Sequence, residues 1–241
     1  MAAIHLTPNI ALVGGGVYGL SHLLDCNVYL IHDGREAALI DAGAGVEPER
    51  IVANVREAGV ERLESILLTH AHADHACGAE AIRSVLGGQI AAADPDAGLI
   101  VAGDDEALGL DAARRGGTYP PDYQYRHSRV DRILHHGDEV RIGRLAAATL
   151  AVPSHSLGSV CFQVGDALLS GDVVFVGGTI SLLNVPGCEL ANYRANMRRL
   201  AGLGVRALLP GHSLFCLEGG QRHIDRAITE LGYSRPPRNL S

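Results

Sequence analysis

Thr69-His70-Ala71-His72-Ala73-Asp74-His75 places three histidines and one aspartate within six residues. At this chain's own histidine and aspartate frequencies, the spacing H-x-H-x-D-H arises by chance in roughly two chains per thousand. The run follows residues 65–68, a short apolar stretch that reads as a buried strand. Alternate residues of extended chain project to one side, which brings His70 and His72 together. Asp74 and His75 fall where a following helix begins and can face a second point nearby. Imidazole and carboxylate suit zinc and other borderline divalent metals. The metal-free alternative is a polar helix start, in which imidazoles packed this tightly would lack a cation to offset their burial.

Further donors lie downstream, each where an apolar run meets a loop. His155 sits in Pro153-Ser154-His155-Ser156-Leu157-Gly158-Ser159, Asp172 in Ser170-Gly171-Asp172, and His212 in Pro210-Gly211-His212. Each alone reads equally well as a satisfied loop residue. As a set at strand ends they offer the rigid mounting a metal site needs. Asp41, in Leu39-Ile40-Asp41-Ala42-Gly43, reads by itself as the cap of a turn.

The rest of the chain alternates strands and helices. Residues 28–31 and 37–40 read as paired strands around an Asp33-Gly34 turn. Residues 47–58 read as a helix with Pro48 in its first turn, Ile51, Val52 and Val55 on one face, and Gly59 as its stop. Residues 76–86 read as a second helix, and Asp94-Pro95 as the cap and first residue of a third. Strands are expected at 139–142, 146–152, 160–164, 167–169 and 207–209, and amphipathic helices at 189–201 and 218–231. Residues 103–131, with Tyr119, Tyr123 and Tyr125, read as an inserted loop or mobile helical lap that shapes either a pocket or a homodimer contact. The tail after Tyr233 is expected to fray. No linker divides the chain, so the expectation is a single domain over 1–241. Two sheets packed face to face with helices outside bury these faces in four layers, an α/β sandwich of αββα order.

Composition narrows the partners. The 241 residues are 47% hydrophobic and 20% charged, ordinary for a globular protein. A formal net charge of −7 without a basic run is poor for nucleic-acid binding, which needs clustered lysine and arginine. No apolar run is long enough to span a membrane, and the first residues lack the basic-then-apolar pattern of a secretory leader. Five scattered cysteines without a C-x-x-C pair fit a reduced, cytoplasmic setting. Cys77 and Cys216 read as packing residues. Gly14-Gly15-Gly16 is followed by no Gly-Lys-Ser/Thr and is not a phosphate loop. The expected partner is a small-molecule substrate.

The H-x-H-x-D-H run, the three later donors and Leu39-Ile40-Asp41-Ala42-Gly43 together resemble the metallo-β-lactamase-fold hydrolase superfamily, from Val28 to His212. The resemblance implies an αββα sandwich with two divalent metal ions at one edge, zinc first and iron, manganese or cobalt also accepted. His70, His72 and His155 would hold one ion, Asp74, His75 and His212 the other, and Asp172 would bridge them. Asp41 would orient the histidine loop. A metal-bridging hydroxide would act as nucleophile, with Asp74 and Asp172 as the catalytic carboxylates. Ser170–Gly178 is similar to the bridging-aspartate segment of hydroxyacylglutathione hydrolases (glyoxalase II). Ser154 and Ser156 depart from that family's Gly-His-Thr, and the 29 residues after His212 are too few for its glutathione-binding helices. N-acyl homoserine lactonases resemble the chain in all seven donors, but their tyrosine after the bridging aspartate is Phe175 here, leaving His22 or a lap tyrosine to substitute. The implied function is hydrolysis of an ester-like bond, thioester or lactone. The alternatives are a mononuclear iron oxidoreductase like the persulfide dioxygenases, and a metal-binding protein without turnover.

Overall fold

The computed structural model describes residues 3–34, 36–233 and 236–240. Seven strands form the first sheet in chain order: β1 (Ile4–Thr7), β2 (Ile10–Gly14), β3 (Val28–His32), β4 (Ala37–Ile40), β5 (Ser65–Leu67), β6 (Gln89–Ala93) and β7 (Arg132–Leu134). Strands β1 to β4 pair antiparallel, and β4 to β7 run parallel. The second sheet holds β8 (Glu139–Ile142), β9 (Leu145–Ala151), β10 (Val160–Val164), β11 (Ala167–Gly171) and β12 (Ala207–Pro210), in the order β12-β11-β10-β9-β8. Its pairs are antiparallel except β11 with β12. The helices are α1 (Pro48–Glu57), α2 (Ala73–Ala76), α3 (Ala79–Leu86), α4 (Asp96–Ala102), α5 (Leu110–Arg115), α6 (Leu190–Asn196) and α7 (Gln221–Leu231). None of the described helices is long and apolar enough to cross a membrane.

Side-chain alternation sorts the strands into layers. Leu30, Leu39 and Ile66 pack with Ile51, Val55 and Ile82 of the helices outside the first sheet. Their neighbours Tyr29, Ile31, Ala38, Ile40 and Leu67 face the other way, into the core between the sheets. On the second sheet Leu169 and Leu209 join that central core, whereas Leu168 and Leu208 pack with Tyr193, Met197 and Ile224 outside it. Each buried large aliphatic side chain contributes about 1.5–3 kcal/mol. The result is the four-layer αββα sandwich.

Several local expectations are corrected. The helix expected over 76–86 is two helices broken at Cys77 and Gly78. A side chain at Gly78 would run into the Ala42 carbonyl, and Gly78 N donates instead to Gly43 O at 2.9 Å. Helix α4 starts at Asp96, with Pro95 in the capping position and no side-chain cap. The helix at 189–201 tightens to a 3₁₀ turn over Met197–Leu200. Strands β1, β2, β6 and β7 add to the strands assigned from the sequence. The turn after β3 runs from Asp33 to Glu36, Asp33 N donating to Glu36 O at 3.2 Å, and Arg35 within it lies outside the described residues.

The lap is packed rather than loose. Tyr119, Tyr123 and Tyr125 are all buried against the first sheet's outer core. Tyr123 Oη donates to Ala44 O at 2.7 Å and Tyr125 Oη to Ala71 O at 2.8 Å. The tail is also docked. Ser234 and Arg235 lie outside the described residues, but Ile180 N donates to Arg238 O at 3.0 Å and Leu240 N to Ile180 O at 2.9 Å. The Asn239 side chain pairs with both backbone groups of Leu182, at 2.8 and 2.9 Å.

Candidate metal centre

Five segments leave their strands at one edge of the sandwich. Asp41 follows β4, Thr69 and His70 follow β5, His155 follows β9, Asp172 follows β11 and His212 follows β12. His72 precedes α2, on which Asp74 and His75 lie. The structure thus brings all seven donors together.

His70, His72 and His155 form one cluster. His72 Nδ1 stands 3.1 Å from His70 Nε2 and 2.9 Å from His155 Nε2. Two nitrogens about 2.0–2.1 Å from one tetrahedral zinc are about 3.4 Å apart, so this is close to donor spacing. Burial holds the pKa of all three imidazoles below the ordinary value, His155 at about 4, so their lone pairs are free. On His155 and His70 the outer ring nitrogen is already engaged. His155 Nδ1 donates to Ser181 O at 2.8 Å. His70 Nδ1 donates to Thr69 Oγ1 at 3.0 Å, and that hydroxyl donates to Asp41. These bonds fix the tautomers that turn Nε2 of both rings inward, whereas His72 turns Nδ1 inward.

Asp74, His75 and His212 form the second cluster, their donor atoms within 4.8 Å of one another. His212 Nε2 lies 2.9 Å from Asp74 Oδ2 and 3.2 Å from His75 Nε2. His75 Nδ1 donates to Asp41 Oδ2 at 2.8 Å. Burial opposes charge on His75 and His212, but the anionic groups around them prevail and raise both pKa values. Burial likewise opposes ionisation of Asp74, and the two histidines outweigh it. Cys26 lies beside His75 and Asp41, but burial pushes its thiol up to about 12 and His75 Nδ1 is already taken.

Asp172 stands between the clusters. Its Oδ2 is 3.7 Å from His155 Nε2 and 3.4 Å from His212 Nε2, and its Oδ1 is 3.4 Å from His75 Nε2. Oδ1 is buried and has no hydrogen-bond partner among the described residues. A buried carboxylate oxygen without a donor is costly unless a cation meets it. Gly211 permits this approach, since a Cβ there would strike both Asp172 and the His75 ring. These residues fit a pair of divalent metal ions.

Three supports were not foreseen. Asp96, only 1% exposed, accepts from Ala71 N at 2.8 Å, Ser156 Oγ at 2.7 Å and Gly158 N at 2.8 Å. It ties the His70–His72 loop to the His155 loop. Ser181 O, which holds His155, also accepts from Tyr193 Oη at 2.8 Å. Tyr29 Oη and Asn27 Nδ2 donate to Pro210 O, at 2.8 and 3.0 Å, beside His212. No local motif marks these, because their partners are remote in sequence. The expectation for His22 is not met: it lies in a turn with Asp25 and does not line the cavity. Of the lap tyrosines only Tyr119 does, donating to Asp74 Oδ1 at 3.0 Å.

The donors open into a cavity of about 570 Å³. Its wall continues through the lap, residues 183–185 and Leu240.

Comparison with known proteins agrees with this architecture. The family model of the metallo-beta-lactamase superfamily matches residues 23–212. The chain is 25% identical over 226 residues to an atrochrysone carboxyl ACP thioesterase of Aspergillus fumigatus, covering 92% of the chain but 61% of that relative. It is 29% identical to the acyl-coenzyme A thioesterase MBLAC2 of Gallus gallus, covering 86% and 79%. It is 29% identical to a hydroxyacylglutathione hydrolase of Cereibacter sphaeroides, covering 80% and 62%. Among solved structures, the FEZ-1 metallo-beta-lactamase of Legionella gormanii superposes with a TM-score of 0.73 at 19% identity, covering 96% and 94%. At that identity the likeness is one of fold.

Proposed function

The chain belongs to the metallo-beta-lactamase superfamily, and from that premise we propose that it is a hydrolase cleaving an acyl thioester of a small molecule at a pair of divalent metal ions, zinc by donor type. The observation that carries the reading is Asp172, buried with an unpartnered oxygen between two donor clusters that share one cavity. The curated relatives named for thioester cleavage favour thioester over lactone.

His70, His72 and His155 would hold one ion, Asp74, His75 and His212 the other, and Asp172 both. The bound pair would supply Lewis acidity for the carbonyl and lower the pKa of the attacking water. The chain's own residues do the rest. Asp41, Thr69 and Ser181 keep the imidazoles aimed inward. Tyr119 holds Asp74 Oδ1, so the carboxylate faces the cavity in one orientation. Water attacks the acyl carbon, Asp74 takes its proton, the C–S bond breaks, and the proton passes to the departing thiolate. The products are a carboxylic acid and a thiol.

Elemental analysis of untagged protein, paired with a thioester hydrolysis assay, tests this. Two metals per chain and turnover that is lost to a chelator and regained with zinc are expected. One iron per chain with oxygen uptake would overturn it in favour of an oxygenase, and metal without turnover on any thioester would reduce the protein to a binder.

A further inference from the structure

This inference rests on the hydrolytic reading and narrows its substrate to one kind of acyl group. The cavity lining is of two chemical kinds. One is the metal-centre donors. The other is mainly apolar, Leu108, Leu110, Ala113, Leu183, Val185 and Leu240 with the uncharged Thr118 and Asn184 among them, and the whole lining contains no lysine or arginine.

Three separate stretches of chain supply that apolar lining, and each is held in place. Gly109, at a φ of +68°, lies so close to Val185 that a Cβ there would meet Cγ1 at 2.5 Å, so the lap and the 183–185 loop touch. Tyr119 anchors the lap to Asp74. Asn239 anchors the tail to Leu182, which sets the neighbouring Leu240 at the wall. An apolar wall without a cation offers nothing to a charged acyl group, whose carboxylate would be desolvated without a partner. It rewards each methylene it covers.

We propose that this apolar lining forms an acyl-chain pocket that selects uncharged aliphatic acyl groups of intermediate length, and that Leu240 sets the length. Leu240 is 38% exposed, so replacing it leaves the core untouched.

Calorimetric titration of the metal-loaded protein with straight-chain monocarboxylates, acetate through dodecanoate, reads the pocket by binding of the acid product. Kd should tighten about fourfold per methylene up to a plateau. Leu240→Trp should move the plateau to shorter chains and Leu240→Ala to longer ones. Hexanedioate should bind at least about tenfold more weakly than hexanoate, since its second carboxylate meets no cation. A Kd independent of chain length, or a plateau that neither Leu240 variant moves, overturns the pocket even if thioesters are hydrolysed. A clear chain-length ladder in protein that hydrolyses no thioester upholds the pocket and overturns the hydrolytic reading instead.

Discussion

Tyr119 holds one oxygen of Asp74 while the other faces His212, so a single phenol decides how that carboxylate presents itself. A hydrogen bond to a charged group is worth about 1.5–3 kcal/mol. Tyr119→Phe should therefore lower kcat for thioester hydrolysis about tenfold or more, while two metals per chain remain bound. A kcat within twofold of the parent would remove Tyr119 from the machinery. That seven candidate donors converge is legible in the sequence because four are packed into one short run and the others stand next to glycine or serine at strand ends. Asp96 is not, because Ala71, Ser156 and Gly158 come to it from far along the chain. Tyr119 could not be told from Tyr123 and Tyr125, since which ring reaches the site depends on how the lap lands on the first sheet.

At the scale of elements, periodicity located α1, α6, α7 and most strands. It failed where tertiary contact overrode local preference. Residues 76–86 carry an unbroken helical period, and the break at Gly78 is imposed by the Ala42 carbonyl. Gly78 itself has an ordinary right-handed φ of −80°, so the glycine answers a need for space, not for backbone freedom. Gly78→Ala should cost about 1–3 kcal/mol by overpacking. Urea unfolding of the purified variant measures it, and an unchanged midpoint would refute the close approach. The tail reads as frayed because Pro-Pro-Arg carries no element signal. Residues 238–240 are nevertheless docked, Asn239 finding its partners 57 residues earlier.

Across the whole molecule, the histidines of the candidate metal centre stand in two electrostatic settings, which gives the metal-free protein a defined acid limb. Burial lowers the His155 pKa to about 4 from an ordinary 6.5. The unfolded chain therefore binds protons between those values while the folded chain does not. The stability contributed by the neutral ring is fully present above pH 6.5 and lost as pH falls toward about 4. His70 and His72 shift in the same direction. Thermal unfolding of chelator-treated protein across that range should show a falling midpoint, which His155→Gln should flatten. A midpoint insensitive to pH there would contradict the burial of neutral imidazole.

The donors are divided between the two sheets. His70, His72, Asp74 and His75 hang from the first, and His155, Asp172 and His212 from the second. With metal bound as proposed, the sandwich would mechanically be two leaves joined at one margin by a clasp. Pulling the leaves apart from that margin would load the metal–ligand bonds before the central apolar seam, so the resistance of the folded chain to force would be set by metal occupancy.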